Sequence, residues 1–520
     1  MGHAFDAIVI GAGLNGLVAS AALGRAGLRV LLLERGPATG GEARAMQFAE
    51  GYRASPLSLD AGWLPPVVAR GLGLRPDLVA SETSATVLLG GGQRLSVARD
   101  AGRAAQAIGV HSARDAARWP GFVTKMGRIA GFLETLYQLP PPDIDTTSLR
   151  ELFPLVGVAR KMRGLGREDM TDLLRILPMA VQELVDDTFE GEALKALIAA
   201  GGVQDIRQGP RSGGTSFVLL HHLVGATEGS IRGRPAVKQG PNVLANAIED
   251  MARAAKVSIR TGTDVSEIVV RDDRVAGVAL ASGEEISAPV VLSTLDPAST
   301  IRRVDPVWLD PDFLHAVRKI KFRGIRATAL FAMDGLPDTT GLDGVVSCTP
   351  TTVALEQAYD AAKYGENSER PHVEFSVPTL RWPDLAPAGK HVVVAHIQFV
   401  SDRSSGSDKS VGSDGSLADR VVATLDEALP GFASRVRHRS VLTPRDLAER
   451  YGLTEGAVTH GELTLDQIMF MRPVPGSGQY AMPVAGLYLG GAGAHPGPGV
   501  LGGPGWLAAR RVLADKKHRA

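Results

Sequence analysis

The sequence predicts an α/β fold in which a discontinuous Rossmann-type nucleotide-binding domain carries an inserted α+β substrate domain. Three observations predict this fold. A strand–turn–helix–strand unit with a glycine-rich turn opens the chain, a second glycine-rich segment lies near its end, and blocks patterned for helices or for strands separate the two. Because glycine-rich turns of this kind bring backbone close to a nucleotide, we expect both ends of the chain to assemble one domain.

The opening unit consists of a strand at residues 5–10, a glycine-rich turn (GAGLNG), a helix, and a second strand at 29–34. Gly11 permits the tight turn, Gly13 lets the backbone approach a pyrophosphate, and Gly16 lets the helix pack against the strand. The first N–H groups of the helix carry its partial positive charge and point at the phosphates. The candidate nucleotide-binding residues of this unit are Gly11, Ala12, Gly13, Leu14, Asn15, Gly16, Glu34 and Arg35.

Glu34 closes the second strand. A carboxylate at this position accepts hydrogen bonds from the hydroxyl pair of a ribose and repels a 2′-phosphate, which disfavours NADP. The alternative is an ordinary βαβ unit with a chance glycine triplet. It is disfavoured because the strand, the turn, the helix and the acid all agree.

The composition excludes two classes of function. The 520 residues include 56 basic and 56 acidic side chains, so the net charge is zero and nucleic acid is not an expected partner. The one cysteine, Cys348, excludes an intramolecular disulfide and a redox-active cysteine pair, and with them the chemistry of a disulfide reductase. No basic segment precedes the apolar N-terminal strand, so we expect a cytoplasmic protein that is at most peripheral to a membrane.

Patterns along the chain predict how the two domains interleave. Residues 101–223 are patterned mostly for helices, residues 244–255 for one helix, and strands are predicted at 257–261, 265–271, 275–281, 290–294 and 391–400. We assign 1–100, 226–296 and 461–520 to the nucleotide domain, and 101–225 and 297–460 to the substrate domain. Residues 401–416 are polar and low in complexity, which predicts a flexible loop.

The second glycine-rich segment, residues 487–500, reads LYLGGAGAHPGPGV. Together with the opening unit it favours FAD over NAD as the dinucleotide. The sequence has no second complete GxGxxG unit that would bind NAD(P)H. We therefore expect reduced flavin to pass its electrons to oxygen, a quinone or another acceptor.

With these elements in place, the chain resembles the phytoene desaturase-like FAD-dependent oxidoreductases, nearest to the branch named pyridine nucleotide-disulfide oxidoreductase domain-containing protein 2. The motifs that carry the resemblance cover nearly the whole chain: GAGLNGLVA, Gly40-Gly41, the segments at 217–222, 275–284 and 442–446, Gln467, Arg472-Pro473, and 490–497. The resemblance implies the two-domain flavoprotein architecture of the glutathione-reductase/amine-oxidase type. It also implies non-covalent FAD, because no cysteine or histidine stands in a recognised flavinylation position.

The resemblance further implies that a helix near Val500 points its N-terminus at the pyrimidine edge of the flavin, where its dipole stabilises negative charge. The additional candidate cofactor-binding residues are Gly40, Gly41, Glu42, Ala43, Val265, Ser293, Gly490, Gly491, Gly499, Val500 and Leu501. One departure concerns residues 238–242 (KQGPN), where relatives have a turn richer in glycine. We expect the backbone to approach flavin or substrate less closely there.

Three ionisable residues are candidates for the chemistry. His495 lies in the second glycine-rich segment, where an imidazole can orient flavin or substrate or act as an acid or base. His222 follows His221 on an apolar stretch, and Arg472 precedes Pro473. A purely structural role is the alternative for each of them. No cluster of His, Cys, Asp or Glu has metal-ligand spacing, so we expect no metal.

These observations favour an FAD-dependent oxidoreductase, a dehydrogenase or desaturase. The reaction would oxidise a C–C bond of a small apolar, isoprenoid- or lipid-like substrate by hydride transfer to flavin N5. Two alternatives stay open: a non-redox isomerase or hydratase that uses flavin, and a regulatory FAD-binding protein without turnover. The intact glycines at both ends argue against the second alternative.

Overall fold

The computed structural model describes residues 4–56, 62–142, 149–227, 229–400 and 417–519. The flexible loop predicted at 401–416 lies outside these residues. The strands are β1 (Ala7–Ile10), β2 (Val30–Leu33), β3 (Met46–Ala49), β4 (Tyr52–Ala54), β5 (Leu78–Val79), β6 (Thr83–Gly90), β7 (Gln93–Ala98), β8 (Ala236–Val237), β9 (Ser258–Arg260), β10 (Val265–Arg271), β11 (Arg274–Leu280), β12 (Glu285–Ser287), β13 (Val291–Ser293), β14 (Arg326–Met333), β15 (Val345–Ser347), β16 (His372–Ser376), β17 (His391–Gln398), β18 (Val436–Leu442) and β19 (Leu487–Leu489).

The helices are α1 (Leu14–Arg25), α2 (Pro66–Leu72), α3 (Ala101–Gly109), α4 (Ala113–Leu136), α5 (Leu149–Gly164), α6 (Gly166–Ile176), α7 (Val181–Asp186), α8 (Glu192–Gly202), α9 (Thr215–Leu223), α10 (Pro241–Ala254), α11 (Pro297–Ile301), α12 (Pro311–Arg318), α13 (Thr352–Lys363), α14 (Leu417–Ala428), α15 (Pro444–Tyr451) and α16 (Gly503–Arg519). The helical character predicted for 101–223 is therefore observed. Helix α16 begins three residues later than the predicted position near Val500.

Five of the described strands form a parallel sheet in the order β19-β13-β1-β2-β9. Strands β1, β2, β13 and β19 are buried along their whole length and apolar except at Ser293, as expected for a parallel sheet covered on both faces. Ile10 pairs with Leu33 and with Ser293, and Ser293 pairs with Leu489, so four strands end at one edge. The predicted α/β fold is confirmed, and the two glycine-rich segments leave the same edge of the sheet on either side of β13.

Seven of the described strands form a second, mixed sheet in the order β18-β14-β17-β16-β15-β6-β7. We call it the substrate sheet, because most of its strands come from the predicted substrate domain. All neighbours in it are antiparallel except β6 and β15. Strands β6 and β7 come from residues that we assigned to the nucleotide domain, so the predicted boundary at residue 100 falls after two strands of the substrate sheet. No strand was predicted at 83–98, and a local pattern carries no information about which sheet a strand joins.

Further elements surround the parallel sheet. Helices α1, α10 and α16 pack beside the parallel sheet, and β10, β11 and β12 form a small antiparallel sheet. Among the described residues, no helix combines the length and the apolar composition needed to cross a bilayer.

Candidate functional site

The first glycine-rich turn adopts a backbone that other residues would disturb. Gly11 has a φ of +92°, and a Cβ added there would lie 2.5 Å from Oγ1 of Thr294. A Cβ on Gly16 would lie 1.8 Å from the carbonyl oxygen of Gly11. Both glycines are therefore required by the fold itself, because strand, turn and helix meet without room for a side chain.

Gly13 differs from its neighbours because a Cβ added there would meet nothing within 4 Å. It caps α1 without a side-chain hydrogen bond, and the first turn of the helix holds no acidic residue. Oδ1 of Asn15 is buried and has no hydrogen-bond partner among the described residues. Open space and unsatisfied helix N–H groups, which can donate to phosphate oxygens, fit a bound pyrophosphate at this turn.

Glu34 is fixed by the same turn. One carboxylate oxygen accepts the N–H of Ala12 at 2.7 Å, and the other accepts the N–H of Gly36 at 2.7 Å. A carboxylate has about four lone-pair sites, so these bonds leave room for ribose hydroxyls. Arg35, by contrast, donates to the carbonyl oxygens of Glu449 and Arg450 at the end of α15.

The loop at Gly40 and Gly41 crosses directly beside the first turn. The N–H of Gly40 donates to the carbonyl oxygen of Ala12 at 2.7 Å, and a Cβ on Gly41 would lie 3.1 Å from Cα of Gly13. Glu42 and Ala43 follow and line the cavity described below. This loop therefore packs against the first turn, beside the space in which we expect the pyrophosphate.

Helix α10 supports that loop from the turn where relatives carry more glycine. Gly240 caps α10 with a φ of +132°, which only glycine adopts readily, and Oδ1 of Asn242 accepts the N–H of Ala45 at 2.7 Å. The turn keeps its one conformationally necessary glycine. Asn242 adds a hydrogen bond that the sequence pattern did not predict.

The second glycine-rich segment packs on the first and then reaches the cavity. A Cβ on Gly491 would lie 2.3 Å from the carbonyl oxygen of Thr294, and one on Gly490 would lie 2.9 Å from Leu292, so these two glycines fit the segment onto β13. Gly499 and Leu501 line the cavity. Val500 forms a parallel bridge with Trp63, whose N–H donates to the Gly499 carbonyl oxygen.

Ser293 and Val265, two candidate cofactor-binding residues, make hydrogen bonds to other parts of the protein. The hydroxyl of Ser293 bonds to that of Thr300 at 2.8 Å, and its carbonyl oxygen accepts the N–H of Gly490. Val265 is buried at the start of β10, and its carbonyl oxygen accepts Nε of Arg303 at 2.7 Å. The side chain of Ser293 faces α11, so a contact between Ser293 and the cofactor would have to use its backbone.

A cavity of about 440 Å³ runs from the first turn to the seven-stranded sheet. Leu14, at the start of α1, and Pro241, at the start of α10, border it at the nucleotide end. Asp205 and Arg326 border it at the far end. Most of the wall between is apolar, and the two aromatic residues in it are Trp63 and Trp382. Its size and lining are those of a small-molecule site.

His222 lies on the cavity wall. Burial, reinforced by the nearby His221 and Arg234, holds its pKa well below the ordinary value, so the imidazole is neutral and keeps a lone pair. His221 points elsewhere: Nε2 donates to the carbonyl oxygen of Pro498, and Nδ1 accepts the hydroxyl of Tyr137. Of the three catalytic candidates, the structure brings His222 to the site.

His495 and Arg472 do not line the cavity. Nε2 of His495 lies 3.2 Å from the carbonyl oxygen of Leu136, the ring stacks edge-on against Tyr137, and burial lowers its pKa to about 4. Arg472 is 1% exposed, and its guanidinium donates to backbone carbonyl oxygens of Thr459, Gly461, Gln467 and Ala492. The catalytic assignments of both are corrected to structural ones, because neighbouring backbone already occupies their polar atoms.

Sequence reasoning missed several residues at the site. Arg234 lines the cavity, and its Nη1 would lie 3.2 Å from a Cβ on Gly499, so a cation stands where the resemblance puts the flavin pyrimidine edge. Thr294 joins the two glycine-rich segments, because its hydroxyl donates to the carbonyl oxygens of Ile10 and Gly11 and Gly491 packs on the carbonyl oxygen of Thr294 itself. Trp63 holds the end of the second segment through its backbone bond to Gly499. The signal for Thr294 was its place directly after a buried strand, whereas Arg234 and Trp63 lie in loops without a recognisable pattern.

The remaining reactive groups are the thiol of Cys348 and the side chains that could bind a metal ion. Cys348 packs against the core of the seven-stranded sheet, and burial raises the pKa of its thiol. Within the described ranges, no three His, Cys, Asp or Glu side chains are grouped so that they could hold a metal ion.

Comparison with known proteins agrees with this geometry. The family model of the flavin containing amine oxidoreductases matches residues 14–513. Pyridine nucleotide-disulfide oxidoreductase domain-containing protein 2 of Rattus norvegicus is 32% identical over 99% of this chain and 94% of its own. A phytoene desaturase (neurosporene-forming) of Cereibacter sphaeroides is 24% identical over 98% and 93%.

An oxidoreductase structure from Methanosarcina mazei superimposes with a TM-score of 0.60 at 18% identity, covering 98% of this chain and 99% of that one. At this identity the superposition supports the fold. The family match covers nearly the whole chain, from the start of α1 to α16, and includes the second glycine-rich segment. The chain belongs to the flavin-containing amine oxidoreductase family and is an FAD-dependent oxidoreductase.

Proposed function

We propose that the protein dehydrogenates a C–C bond of an apolar, isoprenoid- or lipid-like substrate. The observation that carries the proposal is a largely apolar cavity. It begins at the first glycine-rich turn, where we expect FAD to bind, and it ends at the substrate sheet. FAD takes the part of the cavity beside Leu14 and Gly499, and a substrate in the part that is left gives up water contact over most of its surface, which favours an apolar molecule. The name of the Cereibacter sphaeroides relative, phytoene desaturase, supports the same substrate class.

Bound FAD supplies the hydride acceptor, and the chain supplies position, exclusion of water and a proton acceptor. Apolar side chains such as Leu64 and Leu244 hold the substrate, and Trp63 closes the wall beside Gly499. His222 presents a neutral imidazole to the cavity and can accept the proton that leaves the neighbouring carbon. Fast proton loss from the substrate thus depends on a residue of α9.

The proposal is tested by mixing the FAD-loaded protein anaerobically with isoprenoid hydrocarbons and alcohols and following loss of the oxidised flavin spectrum. We expect flavin reduction and a product lighter by two hydrogen atoms. Product that forms while the flavin stays oxidised and no acceptor is consumed would favour the isomerase or hydratase alternative. Oxygen and a soluble quinone, added separately, identify the acceptor. NADH and NADPH should reduce the flavin slowly.

A further inference from the structure

The substrate sheet has a polar face that is buried. In β14, β16 and β17, alternate residues such as Phe331, Phe375 and Ile397 form an apolar core on one side. The residues between them point to the other side and are also buried: Arg326, Thr328, His372, Glu374, His396 and Gln398. Antiparallel sheets usually turn such a face to water. Here it meets residues 203–206 and the far end of the cavity.

Gln398 fixes the turn that covers this face. Its Nε2 donates to the carbonyl oxygens of Val203 and Ile206 at 2.8 and 3.0 Å, and its Oε1 accepts the N–H of Asp205 at 3.3 Å. Asp205 has a φ of +58°, a conformation that few side-chain-bearing residues adopt. The turn is thereby held so that the Asp205 carboxylate reaches the sheet.

The charges at this end of the cavity compensate one another. Nη1 of Arg326 lies 2.9 and 3.0 Å from the two carboxylate oxygens of Asp205. Behind them, Arg232 and Glu374 form a two-point ion pair at 2.7 and 2.8 Å. Gln204 lies beside the second pair, since its Oε1 accepts a hydrogen bond from Arg232 at 3.4 Å, and it also lines the cavity. The two ion pairs at this end are polar and together carry no net charge.

A ligand group at this wall must therefore be polar and neutral. A carboxylate would add a second negative charge beside Asp205, and an ammonium would add a positive charge beside Arg326, leaving in each case a buried charge uncompensated. A hydroxyl adds no charge. Its O–H can donate to the Asp205 carboxylate, and its oxygen can accept the side-chain amide of Gln204.

We propose that the cavity takes an apolar substrate that carries one hydroxyl group, bound by Asp205 and Gln204 while Arg326 holds Asp205 in place. The inference rests on the proposed function, because it narrows the substrate class of the same cavity. Asp205 and Arg326 are here specificity residues at the end remote from the FAD turn.

The test titrates the FAD-loaded protein anaerobically with four molecules of one carbon skeleton: geraniol, geranic acid, geranylamine and the parent hydrocarbon. Binding is read from the change in the flavin spectrum. We expect geraniol to bind about tenfold more tightly than each of the other three, the effect of one hydrogen bond to a charged acceptor. Equal binding of geraniol and hydrocarbon, or tighter binding of the acid or amine, would overturn the inference and leave the proposed function standing. Failure of all four to bind would refute the isoprenoid class, and the inference with it.

A double substitution tests whether Asp205 and Arg326 cause the preference for geraniol. Asp205→Gly with Arg326→Met removes both charges together, and glycine is relaxed at a φ of +58°. This variant should bind the hydrocarbon within about twofold of wild type and lose the tenfold preference for geraniol. Arg128→Met breaks an ion pair with Asp169 outside the cavity and should keep the preference. If the double variant binds FAD and still prefers geraniol, Asp205 and Arg326 do not determine the preference. If the double variant does not fold, the titration of the wild-type protein with the four ligands tests the inference.

Discussion

Glu34 accepts a hydrogen bond from the backbone N–H of Ala12, so the acid at the end of β2 stabilises the glycine-rich turn after β1. The residue expected to bind ribose therefore also organises the turn that binds pyrophosphate. Loss of the Glu34 carboxylate should therefore lower the stability of the FAD-free protein as well as the affinity for FAD.

We expect Glu34→Ala to lower the free energy of unfolding of the FAD-free protein by about 1–3 kcal/mol, because the N–H groups of Ala12 and Gly36 lose their acceptor. FAD affinity should fall as well, by roughly 1.5–3 kcal/mol. Urea unfolding and FAD titration measure the two effects separately. Glu50→Ala, at an exposed position, is the control. Unchanged stability of the FAD-free variant would show that Glu34 has no role in the turn.

Gly13 and Gly16 should respond differently to the same substitution. Gly13→Val places its side chain in open space beside α1, so the protein should fold but fail to retain FAD. Gly16→Val drives its side chain into the carbonyl oxygen of Gly11 and should prevent stable folding. Circular dichroism measures whether each variant folds. The flavin released by acid precipitation measures how much cofactor each variant had bound, because we expect acid to release non-covalent FAD completely. Full flavin occupancy in Gly13→Val would contradict the placement of the pyrophosphate.

His222 and His495 form a second matched pair. His222→Gln should retain FAD and slow flavin reduction by substrate about 10²-fold, because the cavity loses its imidazole proton acceptor. His495→Gln should reduce its bound flavin at the wild-type rate, because its ring lies against Leu136 and Tyr137 outside the cavity. Stopped-flow absorbance of the loaded proteins measures both rates. A slow His495 variant together with a fast His222 variant would reverse the assignment.

Arg472→Met should destabilise the protein by about 3 kcal/mol or more, since several buried carbonyl oxygens lose a charged donor at once. Urea unfolding at a fixed FAD concentration measures the loss. Arg445→Met, at an exposed position on α15, serves as the control. A stable Arg472 variant with a strongly reduced rate would instead restore Arg472 as a catalytic candidate.

Stability should fall as the pH is lowered from about 6.5 toward 4. Burial lowers the pKa of His221 to about 3 and those of His372 and His495 to about 4, against an ordinary value of 6.5. Because these folded-state pKa values are depressed, the unfolded chain binds more protons throughout this window. Each histidine then contributes about 1.4 kcal/mol of destabilisation per pH unit.

Thermal unfolding at a series of pH values, with FAD in constant excess, tests this dependence. His372→Gln should flatten the profile, and His111→Gln, at an exposed position, should leave it unchanged. A profile that is flat between pH 6.5 and 4 in the wild-type protein would mean that these imidazoles are not buried in neutral form.

The sequence by itself determined the features that depend on neighbouring residues. The turn from Gly11 to Gly16, the acid at Glu34 and the apolar strands follow from local sterics and hydrophobic pattern, so the fold class and the cofactor could be predicted. The start of α10 was placed three residues late because its proline and glycine cap were not used.

Only the tertiary structure decided which side chains face the cavity. Asp205 and Arg326 meet across 121 residues, and no local pattern relates a turn after α8 to the first residue of β14. His495 lies within the second glycine-rich segment yet points to α4, whereas His222 lies on an ordinary apolar helix yet lines the site. The face that a residue presents to a cavity is set by the distant segments that pack around it, and a linear pattern does not contain that information.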